Sequence, residues 1–248
     1  MAFKIAPVRT IALRELRSYF DSLTAYVLLV LFLGFSGFFT WLYGADIFLI
    51  GQASLQSFFA VAYWSLFLFI PALTMRMLAE EKKTGTIELL LTKAVTDREL
   101  VVGKFLACLG LIGIALAFTL PYYVTVANIG NIDHGAVWCG YLGLIFMSSV
   151  YISVGLFASS LTDNQIVAFL LALLIGLFFH LIVEVLAGSF TGVVGTLFSS
   201  LSMSRHFDSI SRGVIDTRDL LYFLSLTAFG LYAAEMMLSR RNLVPDRA

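Results

Sequence analysis

Six times along this chain the sequence stays apolar for as long as a helix needs to cross a lipid bilayer. Crossing takes roughly 20 residues. Runs of that order occupy about 23–43, 57–79, 98–125, 136–160, 164–187 and 219–239. Hydrocarbon gives the backbone no water to bond, so each run satisfies its own N–H and C=O groups as a helix. Composition agrees: 60% of the 248 residues are hydrophobic and 13% charged, with 23 phenylalanines, against about 25% charged in an ordinary soluble domain. The formal net charge is zero, which gives a nucleic-acid partner no electrostatic footing. The predicted fold is an all-α integral membrane protein, a single domain over 1–248 with six transmembrane helices.

Local chemistry marks two helix starts. Thr96-Asp97-Arg98-Glu99 fits a capping box opening the third span, and Thr162-Asp163-Asn164-Gln165 fits one opening the fifth. Pro71 and Pro121 lie inside spans and predict kinks or local unwinding. Orientation follows from Lys and Arg, which stay cytoplasmic. Thirteen of the sixteen fall in the N-terminal arm, the 76–104 region and the C-terminal tail, leaving Arg205, Arg212 and Arg218 for the other side. Both termini and the 80–100 stretch are therefore predicted to be cytoplasmic. The first apolar run is read as a span and not a cleavable leader, because it is long enough to cross. Cys108 and Cys139 fall in different spans at different depths, which argues against a disulfide, and they form no metal-ligand spacing.

Residues 5–20, IAPVRTIALRELRSYF, have the pattern of an N-terminal interfacial amphipathic helix. Ile11, Leu13, Leu16, Tyr19 and Phe20 are placed to dip into lipid, while Arg9, Arg14 and Arg17 stay near head groups. The stretch 188–217 is too polar to span and too apolar for a free loop, so short helices packed into the outer leaflet are expected there. Trp41, Tyr43, Tyr122, Tyr123, Trp138 and Tyr141 fall near the outer boundary, as an aromatic belt does.

Charge concentrates in EEKKTGTIELLLTKAVTDREL, residues 80–100, between two apolar runs. Residues 84–94 form a candidate for a short cytoplasmic coupling helix, with Gly85 as a permissive start. Ile87, Leu90 and Leu91 share one face, and Glu88 and Thr92 the other. So short a helix is marginal alone in water and needs a surface to dock on. Glu80 and Glu81 end the second span and Lys104 lies one or two turns into the third, so a pair between these spans would tie the segment to them. Lys82 and Lys83 read as solvated boundary charges.

These residues resemble the cytoplasmic coupling segment of ABC-2 type exporter permeases. The resemblance rests on Glu80, Glu81, Gly85-Thr86-Ile87-Glu88, Leu89-Leu90-Leu91 and Gly103-Lys104-Phe105. It continues in Phe157-Ala158-Ser159-Ser160-Leu161-Thr162-Asp163-Asn164-Gln165, in His206-Phe207-Asp208-Ser209-Ile210 and in Arg212-Gly213-Val214-Ile215-Asp216. The closer resemblance is to the gliding-motility-associated branch, and the chain is also similar to permeases serving nitrous-oxide-reductase maturation. The resemblance implies a bacterial inner-membrane protein that pairs with a second copy or a homologous permease. It further implies two cytoplasmic ATPase subunits that carry ATP and Mg and receive the coupling helix through Glu80, Glu81, Gly85, Thr86, Glu88, Leu90 and Leu91. The chain holds no G-x-x-x-x-G-K-[ST] sequence, so it binds no nucleotide or other cofactor of its own and is not itself an enzyme.

Other constellations are weighed against this frame. His180 and Glu184 are spaced i, i+4 in the fifth span and are candidates for lining a translocation path; two ligands alone define no metal site. His206, Asp208, Arg212 and Asp216 make a polar outer cluster, placed either to meet a periplasmic protein or to hold short helices together. A mechanotransmitter that works such a partner without solute passage is one alternative to an exporter. Another is a rhomboid-like intramembrane serine protease, with Ser36 of Gly34-Phe35-Ser36-Gly37 as nucleophile and His180 as base. Close helix packing explains the same glycines, and the protease leaves the 80–100 stretch without a purpose.

Overall fold

The computed structural model describes residues 5–42, 53–85 and 95–240. The interfacial helix α1 (Ile5–Asp21) precedes the first span, α2 (Leu23–Trp41). The second span is α3 (Gln56–Thr74), continued through a turn into the short α4 (Ala79–Lys83). The third is α5 (Asp97–Ala117) with α6 (Leu120–Ile129), and the fourth is α7 (His134–Leu161). The fifth combines α8 (Gln165–Leu177), a π-helical turn at Phe178–Ile182 and α9 (Val183–Ser189). Helices α10 (Gly192–Leu201) and α11 (Met203–Ser211) lead to the sixth, α12 (Thr217–Arg240). Among the described residues the fold is all-α, and six helices are long and apolar enough to cross a membrane. An even number of crossings returns the chain to its starting side, so α1 and the end of α12 share one end of the bundle.

The capping box at the third span forms: Thr96 Oγ1 accepts from the Glu99 N–H at 3.2 Å and Glu99 Oε2 from the Thr96 N–H at 3.0 Å. The box expected at 162–165 does not. Asn164 is the cap, its Oδ1 accepting from the Ile166 N–H at 2.9 Å. Three residues beyond Asn164 stands Val167, which has no side-chain acceptor to complete a box. Pro121 breaks the third span as expected. Helix α5 ends at Ala117 and Pro121 sits in the first turn of α6, where its missing N–H is not needed. Pro71 stays inside α3, and a turn at 75–78 replaces the helix beyond Thr74.

The fourth span is the hub, with α3, α5, α8, α11 and α12 all packed on α7. Small residues permit this. A Cβ on Gly155 of α7 would lie 2.0 Å from Thr74 Oγ1 of α3, so only glycine admits that approach. The same device corrects the reading of α1. Its apolar side packs on α5 and not into lipid: Val8, Ile11 and Tyr19 are buried, and a Cβ on Gly103 would meet Ile11 Cγ2 at 2.7 Å. Leu16 lies over Gly110, while Leu13 remains exposed. The glycine-lined face of α5 accepts the stripe that hydropathy assigns to lipid. At the opposite end, Trp41 meets Tyr122 edge-on at 5.9 Å and Tyr123 meets Trp138 at 6.0 Å. Tyr43 lies outside the described residues.

Candidate functional site

The second span ends in a joint built from four helices. At the turn after Thr74 the first N–H groups of α4 lack helical partners, and Ser159 of α7 supplies them. Its Oγ accepts from the Leu78 N–H at 3.1 Å and the Ala79 N–H at 3.0 Å, and donates to the Met75 carbonyl at 3.1 Å. One hydroxyl thereby uses its donor and both acceptor sites. Lys82 Nζ donates to the Ser160 carbonyl, which corrects the reading of Lys82 as a merely solvated charge.

Lys104 of α5 is 1% exposed and holds two carboxylates, Glu81 Oε1 at 2.6 Å and Glu15 Oε1 at 3.5 Å. The Glu81 contact is the pair anticipated from spacing, and Glu15 of α1 is an addition. Glu80 stands apart, exposed and 3.9 Å from Arg76. Taking an ammonium group out of water costs several kcal/mol, which attraction offsets only with close, well-placed partners. Tyr19 fastens α1 a second time: its hydroxyl donates to Met77 Sδ at 2.8 Å and lies 3.3 Å from Cys108 Sγ. Burial pushes the Tyr19 phenol well above its ordinary range, so it acts there as a neutral hydroxyl. Both cysteines are free.

Gly85 has φ +68°, and its N–H reaches the Lys82 carbonyl at 3.2 Å. It is therefore the left-handed residue that closes α4, a different role from the helix start expected of it. Thr86, Glu88, Leu90 and Leu91 lie outside the described residues.

His180 and Glu184 have different partners. His180 lies within the π-helical turn at Phe178–Ile182 and Glu184 in α9 beyond it. His180 is 2% exposed, stacked on Tyr63 at 4.1 Å and Phe67 at 4.6 Å, with Nδ1 2.5 Å from the Tyr151 hydroxyl. It clamps the fifth span to the second and fourth. Glu184 accepts from the Ser202 hydroxyl and pairs with Arg205 at 3.3 Å.

The outer cluster likewise divides. His206 Nδ1 lies 2.6 Å from Asp219 Oδ1 and Nε2 lies 3.0 Å from the Ser200 carbonyl, with the ring stacked on Tyr222. Asp208 and Arg212 line a separate cavity of about 300 Å³ with Gln56 and Phe207. Burial raises the Asp208 carboxyl above its usual range, opposed by the Arg212 guanidinium. Asp216 opens α12, its Oδ1 accepting at 3.0 Å from the Arg218 N–H, which holds the carboxyl below its usual range. Ser36, the protease nucleophile candidate, donates to the Leu33 carbonyl of its own helix at 3.4 Å. No hydrogen bond joins Ser36 to His180 among the described residues.

Glu15, Ser159 and Asp219 are the partners that sequence reasoning missed. Glu15 left a signal: Val8, Ile11, Glu15 and Tyr19 form one helical stripe, so a carboxylate interrupts the apolar face.

Residues 51–237 match the ABC-2 family transporter proteins. The chain belongs to this family. Membership makes it a membrane-spanning component of a transporter, a permease subunit and not a catalytic domain. The matched region contains the whole joint of the ABC-2 chain except α1 and its Glu15. None of the curated proteins compared with the chain matches it.

Proposed function

We propose that this ABC-2 permease is half of an ATP-driven exporter, in which two copies pair and separate ATPase subunits bind ATP and Mg and push on residues 84–94. The observation that supports this best is the joint just before that segment. A push delivered to an unanchored α4 would be absorbed by the turn at 75–78. Ser159, Lys82 and Lys104 instead tie α4 to α7, α5 and α1, so a displacement at Gly85 is passed to three other helices. In this reading the α1 end is cytoplasmic, since Arg9, Arg14, Arg17, Arg76, Lys82, Lys83, Arg98, Lys104 and Arg240 all lie towards it. Both termini then face the cytosol from the inner membrane. The run from Glu81 to Glu88, E-x-x-x-G-T-x-E, favours kinship with the gliding-motility-associated branch. The few charges within the spans favour an amphiphilic cargo.

The test is to purify the chain with the ATPase that accompanies it and compare assembly with transport-coupled hydrolysis. Glu81→Gln and Glu88→Gln should each lower coupled hydrolysis about tenfold, the scale of one lost charge-assisted hydrogen bond, with assembly intact. A chain that works with no nucleotide-hydrolysing companion would end this reading.

A further inference from the structure

A slot runs between the first two spans on the outside of the bundle. It has a volume of about 310 Å³ and is lined by Leu23, Thr24, Val27 and Leu31 of α2 and by Phe69 and Ala72 of α3. Leu23, Val27 and Leu31 form an open rim, 78%, 53% and 51% exposed, while Leu28 and Leu73 make a buried floor. From Leu23 to Leu31 it extends about 12 Å along the helix axis. That fits within one leaflet, half of a hydrocarbon core roughly 30 Å thick.

At its α1 end the slot meets a polar cavity of about 420 Å³, and Leu73 lines both. Arg14, Ser18, Ser22, Arg76 and Glu80 are among the walls of this second cavity. Arg76 stands at the boundary, with Nη2 donating to Thr24 Oγ1 at 3.0 Å. The Arg14 and Arg76 side chains are 52% and 45% exposed; Arg14 Nη2 donates to Glu15 Oε1 at 2.7 Å, and the Arg76 contact with Glu80 is long, at 3.9 Å. A guanidinium carries five N–H donors, so both arginines keep donors in hand.

We propose that the two cavities are one phospholipid site, with an acyl chain in the slot and the phosphate between Arg76 and Arg14. The fit is chemical. An apolar groove open to hydrocarbon ends, at the depth of the membrane boundary, in forked donors suited to phosphate oxygens. A helix from a second copy would fill the groove but gives no reason for two guanidinium groups at its head. Glu15, Glu81 and Lys104 line the same polar cavity, so a lipid bound here touches the joint and braces α2 against it.

Native mass spectrometry of the delipidated full chain tests this, with phosphatidylethanolamine and a diacylglycerol of the same acyl chains as probes. The phospholipid should bind about tenfold more tightly than the diacylglycerol, the worth of the charge-assisted contacts. Arg76→Gln should erase that preference. Ala72→Phe should lose both lipids, with Thr24→Phe as the replacement should that variant unfold. Equal binding of the two probes by the unaltered chain, or full phospholipid binding by a slot-filled variant, overturns the proposal. So does disulfide cross-linking of two copies through Val27→Cys in a Cys139→Ser background, since a second copy would then cover the slot.

Discussion

The two ends of the bundle use charge in opposite ways. At the α1 end, Lys104 is 1% exposed and lies 2.6 and 3.5 Å from two carboxylates that are themselves 17% and 16% exposed. At the other end, Arg205 and Glu184 lie 3.3 Å apart with exposures of 44% and 36%. The separations are alike; the surroundings are not. Coulomb attraction at a given distance is several-fold stronger where water is excluded, and so is the penalty for an unpaired charge. The buried group is a joint that fails as a unit, and the exposed pair is one contact among several.

The largest effect is therefore expected at Lys104. Lys104→Ala takes the buried cation from Glu81, while Glu15 keeps Arg14 Nη2 at 2.7 Å, and should cost about 3–5 kcal/mol, read as earlier thermal unfolding in mild detergent. Lys104→Met combined with Glu81→Gln removes both charges of the buried pair, leaves Arg14 and Glu15 together, and should recover much of that loss. Equal destabilisation by the single and double variants would mean that packing, not charge, holds the joint, and the contrast between the ends would dissolve.

Asp219 sets the middle of the scale. It is 5% exposed and lies 2.6 Å from His206 Nδ1, so the outer end also has one buried carboxyl contact. Asp219→Asn keeps the shape and removes the charge. A loss of about 1–3 kcal/mol is expected, below that of Lys104→Ala because only one partner is affected. Amide exchange in α11 should quicken with it, since His206 is the polar link from that helix to α12. Unchanged protection across 203–211 would show that the apolar contacts of Met203, Phe207 and Ile210 suffice.

The same contrast explains what could be read beforehand. The six spans were legible because bilayer thickness acts on every residue of a run, and no tertiary knowledge is needed to count them. The Thr96–Glu99 box was legible because its partners are three residues apart. Depth within the protein was not. Hydropathy assigns Ile11 and Leu16 to an apolar medium without saying whether lipid or α5 provides it. The fifth span is the most apolar window, yet only 28% of it is buried, against 67% of the fourth. The role of Ser159 was not legible, because it comes from a turn 81 residues earlier in the chain, at Leu78. His180 and Glu184 were paired by i, i+4 arithmetic, which says nothing of the separate contacts each makes with Tyr151 and Arg205. Of the proposed coupling residues that are described, Glu81 alone shows its anticipated partner, because both ends of that pair sit near the membrane boundary.

Arg205 should show the smallest effect. Glu184 keeps the Ser202 hydroxyl as a donor when Arg205 is removed, and both side chains already reach water. Arg205→Ala should therefore cost under about 1 kcal/mol, and raised salt should shrink the difference further. A double-mutant cycle with Glu184→Gln isolates the pair from the Ser199 contact that Arg205 also makes at 2.9 Å. A coupling well above about 1 kcal/mol would place the pair in a drier environment than its exposure implies. The helices α10 and α11 would then shield it from solvent, and the outer end would be a second joint, locked as firmly as the first.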